Sequence, residues 1–136
     1  KYVVDFPDSE TVNQPGIIAI PHLGASTEES EDNCAKMAAD EIKDYLENGN
    51  ITNSVNFPNC SLPVDKVGRI TVIHKNEPNV IATFTDVLKE VNISDMINKS
   101  KGDYAYTIIN TDHTVTEETA KQLEALDSVI AVRIIK

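Results

Sequence analysis

His22 is the residue of this sequence whose type and position most suggest proton transfer. It stands in the stretch PHLGAST, directly after the apolar residues 17–20. An apolar run that ends in a proline and small residues is typical of a buried strand followed by a functional loop. Imidazole titrates near neutral pH and could act there as an acid or a base. The alternative is a histidine at a strand end that only hydrogen-bonds the backbone.

The elements around His22 follow from the apolar pattern. Residues 1–5 and 17–20 are short apolar runs that predict two strands, separated by a polar loop with Pro15-Gly16. Ser26, with Glu29 three residues later, forms a capping box and predicts the start of a helix. Gly49 is the expected stop of that helix. His22 is therefore predicted to lie in the loop between the second strand and this helix.

The remainder of the chain divides into a connecting segment and a compact unit. Residues 50–67 are extended and polar, and we predict a linker that packs in places through Val55 and Phe57. Residues 68–136 alternate in a βαββαβ pattern, with a hairpin turn at 101–103 and a second capping box formed by Thr114 and Glu117. Two helices cover one face of a four-stranded sheet, so the pattern predicts a ferredoxin-like α+β sandwich whose other face or edge needs a partner.

Composition and charge narrow the class of protein. The 136 residues carry a formal net charge of −10, which disfavours nucleic acids and anionic membranes as partners. No apolar run is long enough to predict a transmembrane helix. Cys34 and Cys60 have neither CxxC spacing nor a nearby histidine cluster, so we expect no disulfide framework and no metal site. A reduced, cytoplasmic setting fits best.

Several motifs in fixed order carry a family resemblance. PHLGAST is followed by a helix that ends in Glu47-Asn48-Gly49, by SVNFP at 54–58, and by a βαββαβ unit that includes IHKN at 73–76. This order resembles the C-terminal part of the D-3-phosphoglycerate dehydrogenase family, a branch of the D-2-hydroxyacid dehydrogenases. The final unit resembles an ACT domain, a small-molecule sensing module. The resemblance implies a dehydrogenase remnant at 1–49, a linker at 50–67 and an ACT domain at 68–136.

The resemblance assigns roles to residues near the start of the chain. His22 matches the acid/base of hydride transfer to NAD, and Glu10 is the best match for the carboxylate that orients the imidazole, although Asp8 is not separable from it. Three positions match residues beside the nicotinamide, and these are Asp5, Gly24 and Ala25. The 136 residues contain no G-x-G-x-x-G motif for the dinucleotide pyrophosphate. We therefore expect most of the active site to lie upstream, no cofactor on this chain, and no dehydrogenase activity from the chain alone.

The resemblance also implies an effector site at an interface between two ACT domains. The residues that match ligands of L-serine are His74 and Asn76 of one chain and Asn92 of its neighbour. Amide and imidazole groups supply both donors and acceptors, which a zwitterionic amino acid needs. Each residue also has an ordinary alternative, as a turn former, a helix cap or a strand end. Many effector-binding ACT domains have glycine after the proline of this loop, where this chain has Asn79.

The prediction is thus the regulatory portion of an NAD-dependent dehydrogenase that forms homodimers through its ACT domain and binds L-serine. Two alternatives stay open. The domain could serve only in oligomerisation, or the chain could be the tail of another D-2-hydroxyacid dehydrogenase, because residues 1–136 do not include the family's substrate-binding arginine.

Overall fold

A computed structural model describes residues 1–64 and 67–135 of the chain. Asp65 and Lys66, inside the predicted linker, and Lys136, at the end of the predicted ACT domain, lie outside the described residues. The chain forms two compact units, Lys1–Ala39 and Asp40–Lys136. The division predicted from sequence, at 1–49, 50–67 and 68–136, stays a prediction.

The first unit contains two short strands, β1 (Tyr2–Val4) and β2 (Ile17–Ala19), which pair in parallel. Helix α1 (Glu28–Asn48) begins in this unit and ends in the second one. Its predicted cap at Ser26 is wrong by one residue, because the Thr27 hydroxyl accepts the Ser30 N–H at 3.2 Å. Its predicted end is confirmed, since Gly49 adopts a left-handed φ of 71° directly after the helix.

The second unit is a four-stranded antiparallel sheet with two helices. Its elements are β3 (Gly68–Lys75), α2 (Val80–Val87), β4 (Ile93–Lys101), β5 (Tyr104–Thr111), α3 (Glu117–Glu124) and β6 (Val129–Ile135). The spatial order of the strands is β4-β5-β3-β6, so β4 and β6 are the edges. This order and connectivity confirm the predicted ferredoxin-like α+β fold. The hairpin turn lies where it was predicted, with Gly102 at a left-handed φ of 61°.

Both helices pack on one face of this sheet. The buried residues of that layer are Ile70, Val72, Val80, Phe84, Leu88, Ile109, Val115, Ala120 and Leu123. Alternate residues of the central strands point to this face, as the two-residue period of a strand requires. Burial of each large side chain contributes about 1.5–3 kcal/mol, so this layer contributes strongly to stability.

The opposite face of the sheet is covered by the chain itself. A second cluster contains Ile51, Cys60, Tyr106 and Ile108, with Tyr45, Phe57, Leu62, Ile73 and Ile97 packed against it. The expectation that this face needs a separate partner is therefore wrong for the area that these residues cover. Phe57 packs as predicted, with its ring centroid 6.1 Å from that of Tyr106. Val55 does not, because 88% of its surface is exposed.

The helix caps of the second unit differ in detail from the predicted ones. The predicted capping residue Thr114 is wrong, because the Thr116 hydroxyl accepts the Thr119 N–H at 3.2 Å and α3 begins at Glu117. Asn79 occupies the N-cap of α2 with a left-handed φ of 70°. That conformation is the one that glycine adopts most readily and that asparagine tolerates better than most residues.

No helix among the described residues is both long and apolar enough to cross a membrane. Within the same ranges, no group of three or more histidine, cysteine or carboxylate side chains is arranged to hold a metal ion.

Candidate functional site

His22 lies in the loop after β2 and contacts Asp5, which follows β1. Its Nδ1 atom is 2.8 Å from Asp5 Oδ2, and both side chains are about half exposed, at 54% and 55%. The parallel pairing of β1 with β2 places the ends of the two strands side by side, which explains why residues 17 positions apart meet. The Phe6 ring lies against the imidazole, with ring centroids 4.4 Å apart. The imidazole is thus held by the Asp5 carboxylate and the Phe6 ring, and its Nε2 atom takes no part in the hydrogen bond to Asp5.

Glu10 does not occupy the position predicted for it. Its backbone N–H donates to Asp8 Oδ1 at 3.0 Å, within a turn that Thr11 also stabilises. The Thr11 hydroxyl and N–H lower the pKa of the Asp8 carboxyl. The carboxylate that meets His22 is Asp5, and this corrects the predicted partner of the imidazole. A carboxylate directly after β1 was the available signal, because the pairing of the two strands carries it to the histidine.

Gly24 and Ala25 form the exposed turn after His22. A Cβ atom built on Gly24 would meet no atom within 4 Å, and its φ is not in the left-handed region. Neither the packing nor the backbone of the described chain therefore requires glycine at this position.

His74 is buried near the end of β3 and has partners on both ring nitrogens. Nδ1 lies 2.8 Å from the Lys75 carbonyl oxygen, and Nε2 lies 2.9 Å from Thr107 Oγ1 and 3.2 Å from Asn98 Oδ1. The ring also meets Phe84 edge-on, with centroids 5.0 Å apart. Because a carbonyl oxygen only accepts, the neutral imidazole carries its proton on Nδ1, and Nε2 can then accept from the Thr107 hydroxyl and not from the Asn98 oxygen.

Asn76 lies on the surface, beside the turn between β4 and β5. Its side-chain amide donates to the Gly102 carbonyl at 3.1 Å, and its backbone N–H donates to the Asp103 carbonyl at 2.8 Å. A cavity of about 330 Å³ opens at this point, and its lining consists of Lys75, Asn76, Glu77, Asp103 and Tyr104. The sequence interpretation missed the lysine, the two carboxylates and the tyrosine of this cavity, although all four are neighbours of Asn76 or of the hairpin turn.

Asn92 lies at the other end of the sheet. Its side-chain amide donates to Asp112 Oδ2 at 3.0 Å, and the Asp112 N–H donates back to its carbonyl at 3.1 Å. The hydrogen bond from His113, with a smaller contribution from Asn92, lowers the pKa of the Asp112 carboxyl. Strand β4 runs from the residue after Asn92 to the residue before Gly102. At about 3.4 Å per residue, it separates Asn92 from the Asn76 cavity by roughly 27 Å.

The structure thus brings together His22 and Asp5 in one unit, and His74 and Asn76 at one end of the other unit. It does not bring Asn92 to Asn76 within one chain. Strand β4, which connects their positions, pairs only with β5 in the described sheet and leaves one backbone edge open. A site at which Asn76 and Asn92 share one ligand therefore requires another copy of the chain.

The sequence of this chain is similar to those of several known proteins that share one name. No family model matches it. It is 33% identical over 135 residues to D-3-phosphoglycerate dehydrogenase 1 of Saccharomyces cerevisiae, an alignment that covers 93% of this chain and 29% of the yeast protein. It is 32% identical over 122 residues to D-3-phosphoglycerate dehydrogenase of Dictyostelium discoideum, which covers 89% of this chain and 30% of that protein. The protein of the same name from Escherichia coli is 29% identical over 123 residues, with coverage of 88% and 30%.

Among solved structures, the ACT domain from GTP pyrophosphokinase of Chlorobium tepidum aligns with 52% of this chain and 99% of its own, at 14% identity and a TM-score of 0.44. The chain spans about three-tenths of the length of the curated relatives that it matches. The resemblance found in the sequence is confirmed: along about nine-tenths of its length, this chain is a homologue of part of the D-3-phosphoglycerate dehydrogenases.

Proposed function

We propose that the second unit is a regulatory domain that dimerises and binds L-serine, within an NAD-dependent D-3-phosphoglycerate dehydrogenase of the cytoplasm. That enzyme catalyses the first step of L-serine biosynthesis, and L-serine would act as its feedback inhibitor. The names of the relatives supply the activity, and the geometry of the β4 edge supports the regulatory role.

The position of Asn76 and Asn92 at opposite ends of the open edge strand carries this proposal. When two copies pair β4 with β4 in antiparallel orientation around a two-fold axis, the start of one strand lies beside the end of the other. Asn92 of one copy is then at the same end of the joined sheet as Asn76 of the other. The two amides that are roughly 27 Å apart in one chain can in this way serve a single ligand.

The charges on β4 favour such a pairing. In an antiparallel register centred on Ile97, Asp95 of each copy is opposite Lys99 of the other. Both residues are exposed, and they lie on the same face of the strand because they are separated by an even number of residues. Opposite charges directly across a strand pair contribute about 0.2–1 kcal/mol each.

The cavity beside Asn76 has the chemistry that a small amino acid requires. Its lining supplies an ammonium group from Lys75 and carboxylates from Glu77 and Asp103. These groups complement the carboxylate and the ammonium of a zwitterion, while the Asn76 amide can both donate to and accept from a side-chain hydroxyl. A ligand held by two copies stabilises one geometry of the interface over others, as an allosteric effector must.

The first unit would contribute the acid/base of the parent enzyme. Bound NAD would supply the hydride acceptor for oxidation of a secondary alcohol. His22 would accept the hydroxyl proton while Asp5 holds the imidazole by Nδ1. Gly24 and Ala25, in the exposed turn beside His22, would lie next to the nicotinamide. A group that binds the pyrophosphate would have to come from outside residues 1–136.

Calorimetric titration with L-serine tests the proposal, with D-serine and glycine as ligand controls. We expect saturable heat for L-serine with the unaltered chain, and loss of that heat in Asn76→Ala and in Asn92→Ala. Asn56→Ala is the matched control, because Asn56 is an exposed asparagine of the segment before β3. Unaltered binding in both site variants would contradict the assignment of the site.

Dimerisation without a ligand is the second candidate function. The contacts of His74 favour this second function, because both ring nitrogens already have partners inside the chain. This function predicts a dimer whose melting temperature does not respond to millimolar L-serine.

A further inference from the structure

Tyr106 of β5 joins the sheet to the end of helix α1. Its ring is buried in the cluster on the face opposite α2 and α3, and its hydroxyl donates to the Gly49 carbonyl at 2.7 Å. Gly49 directly follows α1, and its own N–H donates to the Tyr45 carbonyl of the last turn at 2.9 Å. The hydroxyl of Tyr106 therefore contacts the end of the helix through a buried hydrogen bond.

Thr107, the next residue of β5, makes side-chain hydrogen bonds on the other face of the sheet. Thr107 is fully buried and its Oγ1 lies 2.9 Å from His74 Nε2 and 2.9 Å from Asn98 Oδ1. Successive residues of a strand point to opposite faces of the sheet. Tyr106 and Thr107 thus connect His74 on one face with Gly49 on the other through one peptide unit.

The hydroxyl of Thr107 has two alternative acceptors. With the His74 proton on Nδ1, the single hydroxyl proton can be donated either to His74 Nε2 or to Asn98 Oδ1. His74 is buried, but the carbonyl that its Nδ1 contacts belongs to Lys75, which lines the cavity beside Asn76, so a ligand that moves Lys75 favours one of these arrangements. Discrete alternatives of this kind are what allosteric coupling requires, because packed interiors do not deform continuously.

The last turn of α1 depends on the sheet for its remaining contacts as well. It has no basic residue of its own. Arg133 of β6 donates to the carbonyls of Tyr45 and Leu46 at 3.4 and 3.1 Å, and Arg69 of β3 donates to the Asn48 carbonyl at 2.8 Å. Cationic groups at a helix C-terminus stabilise the helix dipole. Strands β3 and β6, which both lie on one side of β5, therefore also fix the turn that Tyr106 contacts.

We propose that Tyr106 is a positioning residue that transmits occupation of the site at His74 and Asn76 to the last turn of α1. The inference rests on the proposed function, since it takes L-serine as the ligand of that site. The hydrogen bond from Tyr106 to Gly49 is the contact by which β5 reaches the end of the helix, beside those that Arg69 and Arg133 make from β3 and β6.

Hydrogen exchange of the Gly49 amide, measured by NMR on the full chain with and without saturating L-serine, tests this role. In the unaltered chain we expect L-serine to change the exchange rate by about fivefold or more, the range of ordinary allosteric coupling. In Tyr106→Phe, L-serine still binds by calorimetry, but the ratio of the two rates falls to about one, as expected for a lost coupling. Thr107→Val, which removes the hydroxyl on the other face, should lose the ratio in the same way.

Tyr2→Phe is the matched control, because it makes the same chemical change on β1 of the first unit, where 63% of the residue's surface is exposed and the residue does not line the cavity beside Asn76. It should retain the ligand-dependent ratio. A Tyr106→Phe chain that exchanges faster but keeps the ratio would overturn the inference, since a purely structural contact behaves in that way. If L-serine gives heat on binding but does not change the exchange rate of the Gly49 amide in the unaltered chain, the inference is overturned and the proposed function is not. Absence of heat would overturn the proposed function and the inference with it.

Discussion

Arg69 is the buried charge on which the second face of the sheet depends, and its removal gives a defined loss of stability. Only 2% of its surface is exposed. The guanidinium donates to Asn110 Oδ1 at 2.7 Å and to the Asn48 and Leu62 carbonyls at 2.8 and 3.2 Å, and it also contacts the Pro63 carbonyl. One side chain therefore ties the end of α1 and the following segment to β3 and β5.

The expected cost of Arg69→Met follows from these contacts. Methionine fills part of the volume but leaves several buried acceptors without their donor, at about 1–3 kcal/mol for each buried polar group that finds no water. Relief of the buried charge offsets part of that loss. We expect a decrease of about 3–5 kcal/mol in the free energy of unfolding, a large part of the 5–15 kcal/mol of an ordinary domain.

Urea denaturation followed by circular dichroism measures this decrease. Arg133→Met is the matched control, because Arg133 also donates to carbonyls of α1 but at 3.1 and 3.4 Å and from a less buried position. Its loss should cost about 1 kcal/mol, the net value of an ordinary hydrogen bond. A decrease below about 1 kcal/mol for Arg69→Met would refute the reasoning that this network fixes the second face.

Two further predictions concern the edge strand and alkaline pH. Lys99→Glu places like charges opposite Asp95 in the proposed dimer and should raise the dissociation constant of the dimer roughly tenfold in analytical ultracentrifugation. The double swap Asp95→Lys/Lys99→Glu should restore the original constant. An unchanged dissociation constant in the single variant would contradict the register. Burial raises the pKa of Tyr106 to about 12 and that of Cys60 to about 11, from 10.0 and 9.0. Both groups hold their protons more tightly when folded, so stability is complete below about pH 9 and falls as pH rises toward 12, by roughly 3 kcal/mol for each group at most. The difference in unfolding free energy between the unaltered chain and Tyr106→Phe should be smaller at about pH 11 than at about pH 8.5. A difference that does not change with pH would contradict this origin.

Regular elements were predictable from local patterns. The strand at 129–135 and the hairpin turn at Gly102 lie where apolar alternation and turn residues indicated them. The helix caps were displaced by one or two residues, because Ser26 and Thr27, like Thr114 and Thr116, offer neighbouring hydroxyls that satisfy the same pattern. Backbone dihedral angles decide between them, and a sequence pattern does not contain those angles.

The layer on the second face was not predictable in the same way. Ile51, Phe57 and Cys60 have no helical or strand period, and their partners Tyr106 and Ile108 are about fifty residues away in the chain. The pairing of His22 with Asp5 depends on the register of two strands that only the folded unit reveals. Local patterns specify elements, whereas contacts between distant segments are specified by packing.

The same argument applies to the effector residues. Recognition of His74, Asn76 and Asn92 came from a family resemblance, and no local pattern separates them from a turn former or a cap. Asn92 lies directly before β4, and Asn76 contacts the turn that follows it. This adds a geometric condition, because only two copies of the chain can bring the two asparagines together.

Complementation between two inactive variants tests that condition most directly. Asn76→Ala and Asn92→Ala chains are mixed in equal amounts, refolded together and titrated with L-serine. Random pairing gives mixed dimers in which one site keeps both asparagines, so we predict that L-serine binding returns at about one quarter of the capacity of the unaltered chain. A mixture that binds no more L-serine than either variant alone would contradict a site shared between two copies, and with it the central claim that this chain senses L-serine as a dimer.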